Sequence, residues 1–203
     1  MKAAMPQPKG APLQVLTPRF ELRSMTLERI NEDYISWWND AEIQGLLGSQ
    51  PRGWTMVQAR RHVEQFDNRS SFHLGVYTRE DHRLIGFTTI LANPRSGIST
   101  SNRVLGDKSY WRKGVSKELS AWGIPFVFEK LGMHKIKAEV RGANTSSIAL
   151  CEYLGFEREG LLRQEIPSLD GRRLDVHVFG LLREDWQRLC ASGQAPWGKT
   201  QGV

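Results

Sequence analysis

Apolar and polar residues alternate with a period of two in seven short stretches of the chain, which indicates β-strands. These stretches cover residues 19–25, 72–77, 84–91, 98–105, 135–141, 156–166 and 172–182. Four other stretches repeat apolar residues at the helical spacing, over residues 26–39, 55–66, 114–131 and 145–154. With a length of 203 residues, the pattern predicts one domain of the α/β (α+β) class with about seven strands and about four helices.

Local signals support several of the predicted helix ends. Thr55 and Gln58 have the spacing of a capping box, which predicts a helix start at Thr55. Pro125 lies inside the third predicted helix and predicts a kink, because proline removes a backbone hydrogen bond. Gly155 follows the fourth and suits the left-handed residue that ends a helix.

Two segments near the predicted elements invite a functional interpretation. Residues 43–54 contain three glycines and a proline, which fits either a connecting loop or a flexible wall over a substrate pocket. The strand 98–105 is unusually polar in its middle, so we expect one of its faces to border a cleft.

The composition at the two ends predicts where the folded domain begins and stops. Residues 1–16 carry three prolines and few large apolar side chains, so we expect them to be poorly ordered. The domain is predicted to span residues 17–190. Small and polar residues dominate after that point, and residues 191–203 are predicted to form a disordered tail.

The remaining composition narrows the function classes. The chain has no apolar run of about 18 residues that could cross a membrane. The N-terminus lacks the apolar core of a secretion signal, so we expect a cytoplasmic protein with no membrane partner. Two cysteines without a CxxC motif and five scattered histidines argue against a disulfide framework and against a bound metal.

The net charge of +6 favours an acidic partner, and both nucleic acid and a polyphosphate cofactor satisfy that condition. Most of the positive charge is dispersed along the chain as on an ordinary solvated surface. Arg112 and Lys113 differ, since they sit in a turn, Trp111–Ser116, at a predicted helix start. Backbone N–H groups at a helix start are unpaired and face the positive end of the helix dipole. We therefore interpret this turn as an anion-binding site.

The same stretch carries a combination of motifs that resembles the Gcn5-related N-acetyltransferases, and most closely the branch of the ribosomal-protein N-terminal acetyltransferases. The matching pieces run from the polar strand to the second half of the chain and together cover roughly residues 18 to 188. They are Gly106-Asp107-Lys108, Tyr110-Trp111-Arg112-Lys113-Gly114, Asn144-Thr145-Ser146-Ser147, Leu154-Gly155-Phe156 and Asp170-Gly171-Arg172 with Asp175.

This resemblance implies a mixed, mostly antiparallel sheet that splays open between its fourth and fifth strands and holds acetyl-CoA in the gap. It implies that the backbone of Val104 and Leu105 pairs with the pantetheine arm. It further implies that a group of residues in the two turns binds the rest of the cofactor: Trp111, Arg112, Lys113, Gly114, Val115, Ser116, Asn144 and Ser147.

The resemblance also implies the catalytic residues. Glu139, in the run Glu-Val-Arg, falls where protein-alanine acetyltransferases have their general base. The reaction needs such a base because an ammonium group must lose a proton before its nitrogen can attack a thioester. An ordinary ion pair with Lys137 or Arg141 is the alternative. Cys151 stands where many relatives have the tyrosine that protonates the leaving thiolate. We therefore take Ser147 as the substitute, with helix capping as its alternative role.

The acceptor is the part of the reaction that the sequence leaves open. Trp37, Trp38 and Asn39 could bind a cationic or sugar-bearing amine, and we expect one tryptophan to be buried and the other to line the pocket. The predicted function is transfer of an acetyl group from acetyl-CoA to a primary amine. We expect no metal and no nucleic acid partner, and the sequence leaves open whether the protein is a homodimer. The alternative is a non-catalytic CoA-binding or nucleic-acid-binding module.

Overall fold

A computed structural model of the chain describes residues 9–51, 53–168 and 171–196. Within these ranges, eight strands form one mixed sheet that is covered by six α-helices. The strands are β1 (Gln14–Leu16), β2 (Phe20–Ser24), β3 (Ser71–Thr78), β4 (Leu84–Asn93), β5 (Ile98–Leu105), β6 (Lys135–Arg141), β7 (Glu157–Pro167) and β8 (Arg173–Leu182). The helices are α1 (Glu32–Asn39), α2 (Ala41–Leu47), α3 (Met56–Glu64), α4 (Val115–Pro125), α5 (Thr145–Tyr153) and α6 (Arg183–Ala191).

The sheet has the order β1-β2-β3-β4-β5-β6-β8-β7 and contains one parallel pair, β5 with β6. That pair is in register from Ile98 opposite Lys135 to Thr100 opposite Lys137, after which the two strands diverge. By contrast, β4 and β5 stay paired from Gly86 opposite Leu105 to Asn93 opposite Ile98. The predicted mixed sheet that opens between the fourth and fifth predicted strands, here β5 and β6, is confirmed. We call this opening the seam.

The apolar core lies on both faces of the sheet. On one face, α1, α2 and α3 pack against Phe87 and Val104. On the other, α4 packs against Ile85, Ile90 and Ile136. A smaller cluster joins Val140 of β6 to Cys151 of α5 and Phe179 of β8. Helices α4 and α5 therefore cover the face opposite to α1–α3, and the seam opens between these layers.

The predicted bounds of the first helix, residues 26–39, are wrong at the N-terminal end. Residues Leu27–Arg29 form a separate 3₁₀ turn, and α1 begins at Glu32. Asn31 accepts a hydrogen bond from the Tyr34 N–H at 2.9 Å and is the true cap. The helical spacing of apolar residues continues across the break, which is why the pattern alone did not reveal it.

Part of the segment expected as a loop is helical. Asp40 accepts a hydrogen bond from the Ile43 N–H at 2.9 Å and starts α2, which Gly48 ends in the left-handed conformation with φ +62°. Residues 43–47 are therefore ordered helix rather than loop. Farther along, Gln58 accepts from the Thr55 N–H at 2.7 Å, which agrees with the predicted start of α3.

The predicted disturbance at Pro125 takes the form of a change in helix type. Helix α4 stops at Pro125 and continues as a π-helical turn, Phe126–Lys130, in which the Leu131 N–H donates to the Phe126 carbonyl at 3.1 Å. Gly155 has φ +78° after α5, as predicted for its position.

The ends of the chain differ in part from expectation. Strand β1 lies within the segment expected to be poorly ordered and pairs with β2 at the sheet edge, while residues 1–8 lie outside the described ranges. Helix α6 was not predicted, because its capping carboxylate Asp185 and its buried Trp186 stand in a mostly polar stretch. Residues 197–203 also lie outside the described ranges. No described helix is long and apolar enough to cross a bilayer.

Candidate functional site

A cavity of about 520 Å³ occupies the seam. Its walls come from β5 and α4 on one side, from β6 and α5 on the other, and from α2 at the remaining edge. Because β6 leaves β5 after Thr100, those backbone groups of residues 101–105 that point away from β4 face the cavity without a strand partner. The prediction that the polar strand borders a cleft is confirmed, since Ser101 and Asn102 line this cavity.

The turn before α4 has the geometry of an anion site. Arg112 and Gly114 both adopt left-handed conformations, with φ +60° and +75°, which arranges successive backbone N–H groups as a concave nest. The Glu118 N–H donates to the Gly114 carbonyl at 3.2 Å, so the N–H groups of residues 115–117 precede the hydrogen-bonded part of the helix. Arg19 steadies the turn by donating to the Lys113 carbonyl at 3.0 Å.

The cations of this turn are available for a ligand. In the described part of the chain, no carboxylate forms an ion pair with Arg112, Lys113 or the neighbouring Lys117. Trp111 is anchored, because its Nε1 donates to the Leu105 carbonyl at 2.7 Å. Among the predicted cofactor residues, those that line the cavity are Val104, Leu105, Trp111, Arg112, Ser116, Asn144 and Ser147.

The other three predicted cofactor residues have different surroundings. Lys113 and Gly114 are exposed on the turn, beside the cavity rather than in its wall. The side chain of Val115 is buried in the core under α4, so its backbone N–H is the part that can face a ligand.

The start of α5 brings polar groups to the opposite wall. The Asn144 side chain accepts from the Ser147 N–H at 3.1 Å and caps the helix, and both residues line the cavity. One turn later, Cys151 is buried against Val140 and Phe179. Burial raises the pKa of the Cys151 thiol to about 11, so the thiol stays protonated at neutral pH and is a poor nucleophile.

Glu139 lines the cavity from the opposite face of β6. Its neighbours Ala138 and Val140 pack toward α5, so the alternation of the strand turns Glu139 toward the α2 side. Its Oε1 lies 2.6 Å from the Lys137 Nζ. The ion pair that was considered as an alternative therefore exists, and it holds a carboxylate at the edge of the cavity.

The two tryptophans predicted to bind the acceptor pack with the core on the α1–α3 face, and Asn39 lies partly exposed at the end of α1. Trp37 is buried, and its ring occupies the space above Gly106. Trp38 stacks on Trp54 with a centroid distance of 4.2 Å, and Asn39 exchanges hydrogen bonds with the Trp54 backbone. One tryptophan, Trp37, is buried as expected, whereas none of the three residues lines the seam cavity, and their contact with an acceptor stays a prediction.

Two arginines in the cavity wall were missed. Arg103 points from β5 to α4, where its Nη1 donates to the Ser116 carbonyl at 2.8 Å and to the Ser120 hydroxyl at 3.3 Å. Burial lowers the pKa of Arg103 to about 10. Arg141, at the end of β6, also lines the cavity. A charged residue at an inward position of a strand is the signal that could have identified both.

Helix α2 supplies the remaining wall with Glu42, Ile43, Leu46 and Leu47. Of the two interpretations left open for residues 43–54, a connecting loop or a pocket wall, the wall applies to the helical first half. Lys108 anchors the start of this helix through Glu42, at 2.7 Å, and through Asp40, at 2.9 Å.

Comparisons with known proteins agree on one family. Residues 19–157 match the family described as "Acetyltransferase (GNAT) domain". An uncharacterized N-acetyltransferase, p20, of Bacillus licheniformis is 30% identical over 177 residues, which cover 84% of this chain and 96% of that protein.

Solved structures have the same fold. The ribosomal-protein-S5-alanine acetyltransferase of Vibrio fischeri aligns with a TM-score of 0.74 and 16% identity, over 86% of this chain and 98% of that one. The spermidine N-acetyltransferase of Vibrio cholerae, in complex with CoA and spermine, aligns with a TM-score of 0.72 and 20% identity, over 82% and 96% of the two chains.

Proposed function

Because this chain belongs to the GNAT acetyltransferase family, we propose that it transfers the acetyl group of acetyl-CoA to a primary amine by direct attack of the bound amine. The observation that carries the proposal is the seam. An unpaired strand edge, a nest of backbone N–H groups and unpaired cations surround one cavity of about 520 Å³. A long ligand with a peptide-like arm and a diphosphate matches each of these three features.

The residues present fit acetyl-CoA. The Leu105 N–H, next to Val104, faces away from β4 and can pair with a pantetheine carbonyl, and the turn from Arg112 to Ser116 offers N–H groups and positive charge to the diphosphate. Acetyl-CoA supplies the acetyl group as a thioester. A strand N–H near Val104 or Leu105 is the candidate for holding the thioester oxygen as negative charge develops on it.

Glu139 is the candidate general base. The acceptor nitrogen must be neutral to attack, and the Glu139 carboxylate stands at the α2 side of the cavity, where it can accept the proton directly or through water. Lys137 holds this carboxylate in place, with its Nζ 2.6 Å from the Glu139 Oε1.

Ser147 is the candidate proton donor to the departing thiolate. Its hydroxyl lines the cavity at the start of α5, where the N–H groups of the first turn also favour negative charge. Cys151 lies one turn farther along the same wall, but its thiol is buried in the cluster with Val140 and Phe179.

Two measurements test the proposal. Acetyl-CoA should raise the melting temperature of the protein, by an amount that grows with the logarithm of its concentration. A panel of amines should then release free CoA thiol in the presence of the enzyme. If millimolar acetyl-CoA leaves the melting temperature unchanged, the proposal fails. Steeply salt-dependent binding to DNA or RNA, together with no CoA release, would favour the nucleic-acid-binding alternative.

A further inference from the structure

Arg141 is a partly buried cation whose charge has no partner. It sits at the C-terminal end of β6, and its Nε is shielded from solvent without a hydrogen-bond acceptor. Across the described ranges, no carboxylate lies within ion-pair distance of it, and Glu139 acts on its charge only from farther away. A guanidinium in this position costs free energy unless an anion pairs with it.

The position of Arg141 is fixed by α2. A Cβ atom placed on Gly48 would lie 1.7 Å from the Arg141 Nε and 2.3 Å from its Cδ, so the guanidinium packs directly on this glycine. Ile166 of β7 packs at the same place, since its Cδ1 would lie 2.6 Å from that Cβ position. The side chain is therefore held between α2 and the sheet while it lines the cavity.

The turn Trp111–Ser116, which we call the diphosphate turn, and Arg141 lie on different faces of the sheet. Residues Ala138 and Val140 of β6 point toward α5, so Arg141, which alternates with them, points toward α2. The turn and its cations belong to α4, on the same face as α5. Arg103 also points to α4, where it contacts the Ser116 carbonyl on the same face as the turn. An anion that pairs with Arg141 must therefore come from the other ligand, the acceptor.

The carboxylates on this side of the cavity are already neutralised. Glu42 pairs with Lys108 at 2.7 Å, and Glu139 pairs with Lys137 at 2.6 Å. The acceptor side thus presents two paired acids and one unpaired guanidinium. A polycation gains little from such a wall, whereas an anionic group gains a forked, charge-assisted contact.

We propose that Arg141 binds an anionic group of the acceptor, so that the substrate is a small amine that also carries a carboxylate or a phosphate. This inference rests on the proposed function, because it assigns the second ligand of the same cavity. Glu139 and Arg141 are two residues apart on one strand face, about 7 Å at the backbone, so one compact molecule can reach both. The amine would face Glu139 and the anion would face Arg141.

The test compares matched amines that differ in the anion. Alanine is paired with alaninamide, phenylalanine with phenylalaninamide, and glucosamine 6-phosphate with glucosamine, while spermidine represents the cationic acceptors. CoA release gives kcat and KM for each, with the wild type, Arg141→Met and Arg141→Lys. Arg95→Met, in the exposed β4–β5 turn, controls for the loss of one positive charge. Thermal stabilisation by acetyl-CoA reports folding and cofactor binding in every variant.

We expect the wild type to prefer the anionic member of at least one pair, and the carboxylate and phosphate pairs identify which anion it is. Arg141→Met should raise KM for that member about 10- to 100-fold, leave its neutral partner unchanged and keep the acetyl-CoA stabilisation. Arg141→Lys should recover part of the loss, and Arg95→Met should match the wild type.

Two results would overturn the inference while leaving the proposed function intact, provided that acetyl-CoA still stabilises the protein. They are a preference for spermidine or for the neutral members, and an equal loss for both members in Arg141→Met. No turnover of any member would overturn the inference and also count against the proposed function. Absence of stabilisation by acetyl-CoA would instead count against the proposed function itself.

Discussion

Single residues in the seam hold charges that the fold leaves uncompensated. Arg103 and Arg141 are both partly or wholly withdrawn from water without a carboxylate partner in the described chain, one on each face of the sheet. Burying a charge in this way opposes folding. A bound anion would offset this cost at Arg141 above all, because Arg103 already donates two hydrogen bonds to α4.

The catalytic assignment can be tested at Glu139. We expect Glu139→Gln to lower the rate of acetyl transfer by about 10²- to 10⁴-fold near neutral pH, because the amide cannot accept the proton of the acceptor ammonium. The affinity for acetyl-CoA should stay the same, since the residue lies on the α2 side of the cavity. Steady-state kinetics and acetyl-CoA titration measure the two effects.

Lys137→Met is the matched control for this substitution, because it removes the ion pair but keeps the carboxylate. Its rate should fall much less than that of Glu139→Gln. An unchanged rate for Glu139→Gln between about pH 6 and pH 9 would remove Glu139 as the base.

A buried histidine outside the seam predicts a loss of stability in acid. His73 is 1% exposed, and burial lowers its pKa from 6.5 to about 3. Below pH 6.5, therefore, the His73 side chain binds a proton in the unfolded chain but not in the folded one. Stability is fully present above that pH and falls as the pH drops toward 3. This one group should cost about 2 kcal/mol of unfolding free energy between pH 8 and pH 5.

Urea unfolding at these two pH values, with the wild type and His73→Phe, measures the contribution. The variant should lose about 2 kcal/mol less than the wild type over the interval, although His62 contributes in the same direction in both proteins. An identical pH dependence of the two proteins would contradict the assignment.

At the scale of single residues, part of the candidate site could be predicted from the sequence and part could not. The turn before α4 could be predicted as a glycine-containing helix start with adjacent cations, because these residues are neighbours in the chain. The role of Trp38 could not, since its partners Trp54 and Phe87 come from other elements and fill the space that it would need to reach the cavity. The role of Arg141 could not be predicted either, because it depends on the packing of its side chain against Gly48, which belongs to another element.

Among the elements, the turn before α4 and helix α2 each supply part of the cavity wall. The turn depends on two left-handed positions separated by Lys113, and α2 depends on the cap at Asp40 and the left-handed Gly48. The first was predictable from its residue types. The second was not, because a helix of seven residues with internal glycine has little intrinsic stability and forms through its contacts with the sheet.

The turn can be tested by a substitution that strains one backbone position. Gly114 has φ +75°, and the heavy atom nearest to a Cβ placed on it would be the Arg19 Nη2 at 3.8 Å, so Gly114→Ala meets no clash but adopts an unfavourable conformation. We expect it to lower the unfolding free energy by about 1–2 kcal/mol. Acetyl-CoA affinity should fall at least about fivefold, because relaxing the strain turns N–H groups out of the nest.

Gly132→Ala is the control for backbone strain. Gly132 has φ +69° with no heavy atom near its Cβ position, and it lies after the π-helical turn, away from the diphosphate turn. It should show a similar loss of stability in chemical unfolding with unchanged acetyl-CoA affinity. Equal affinities in the two variants would mean that the turn does not hold the diphosphate.

For the molecule as a whole, the seam divides the sheet into two halves. Strands β1–β5 form one and β6–β8 the other, and β5 and β6 pair over the positions from Ile98 to Thr100. The mixed sheet and its opening were predictable from the order of elements and the family resemblance. The sizes of the two halves were not, because β1 and its pairing with β2 lie in a stretch with little apolar character.

A ligand in the seam should therefore stabilise the molecule by joining its halves. At a concentration 100 times its dissociation constant, acetyl-CoA should add about 2.7 kcal/mol to the unfolding free energy. Hydrogen exchange should show a larger local effect at residues 101–105, since N–H groups there that face the seam lack a strand partner in the free protein. Helix α3, which packs on the first half alone, should gain no more than the global amount. If α3 gained as much protection as residues 101–105, the ligand would be acting through general stabilisation, and the seam would not be its binding site.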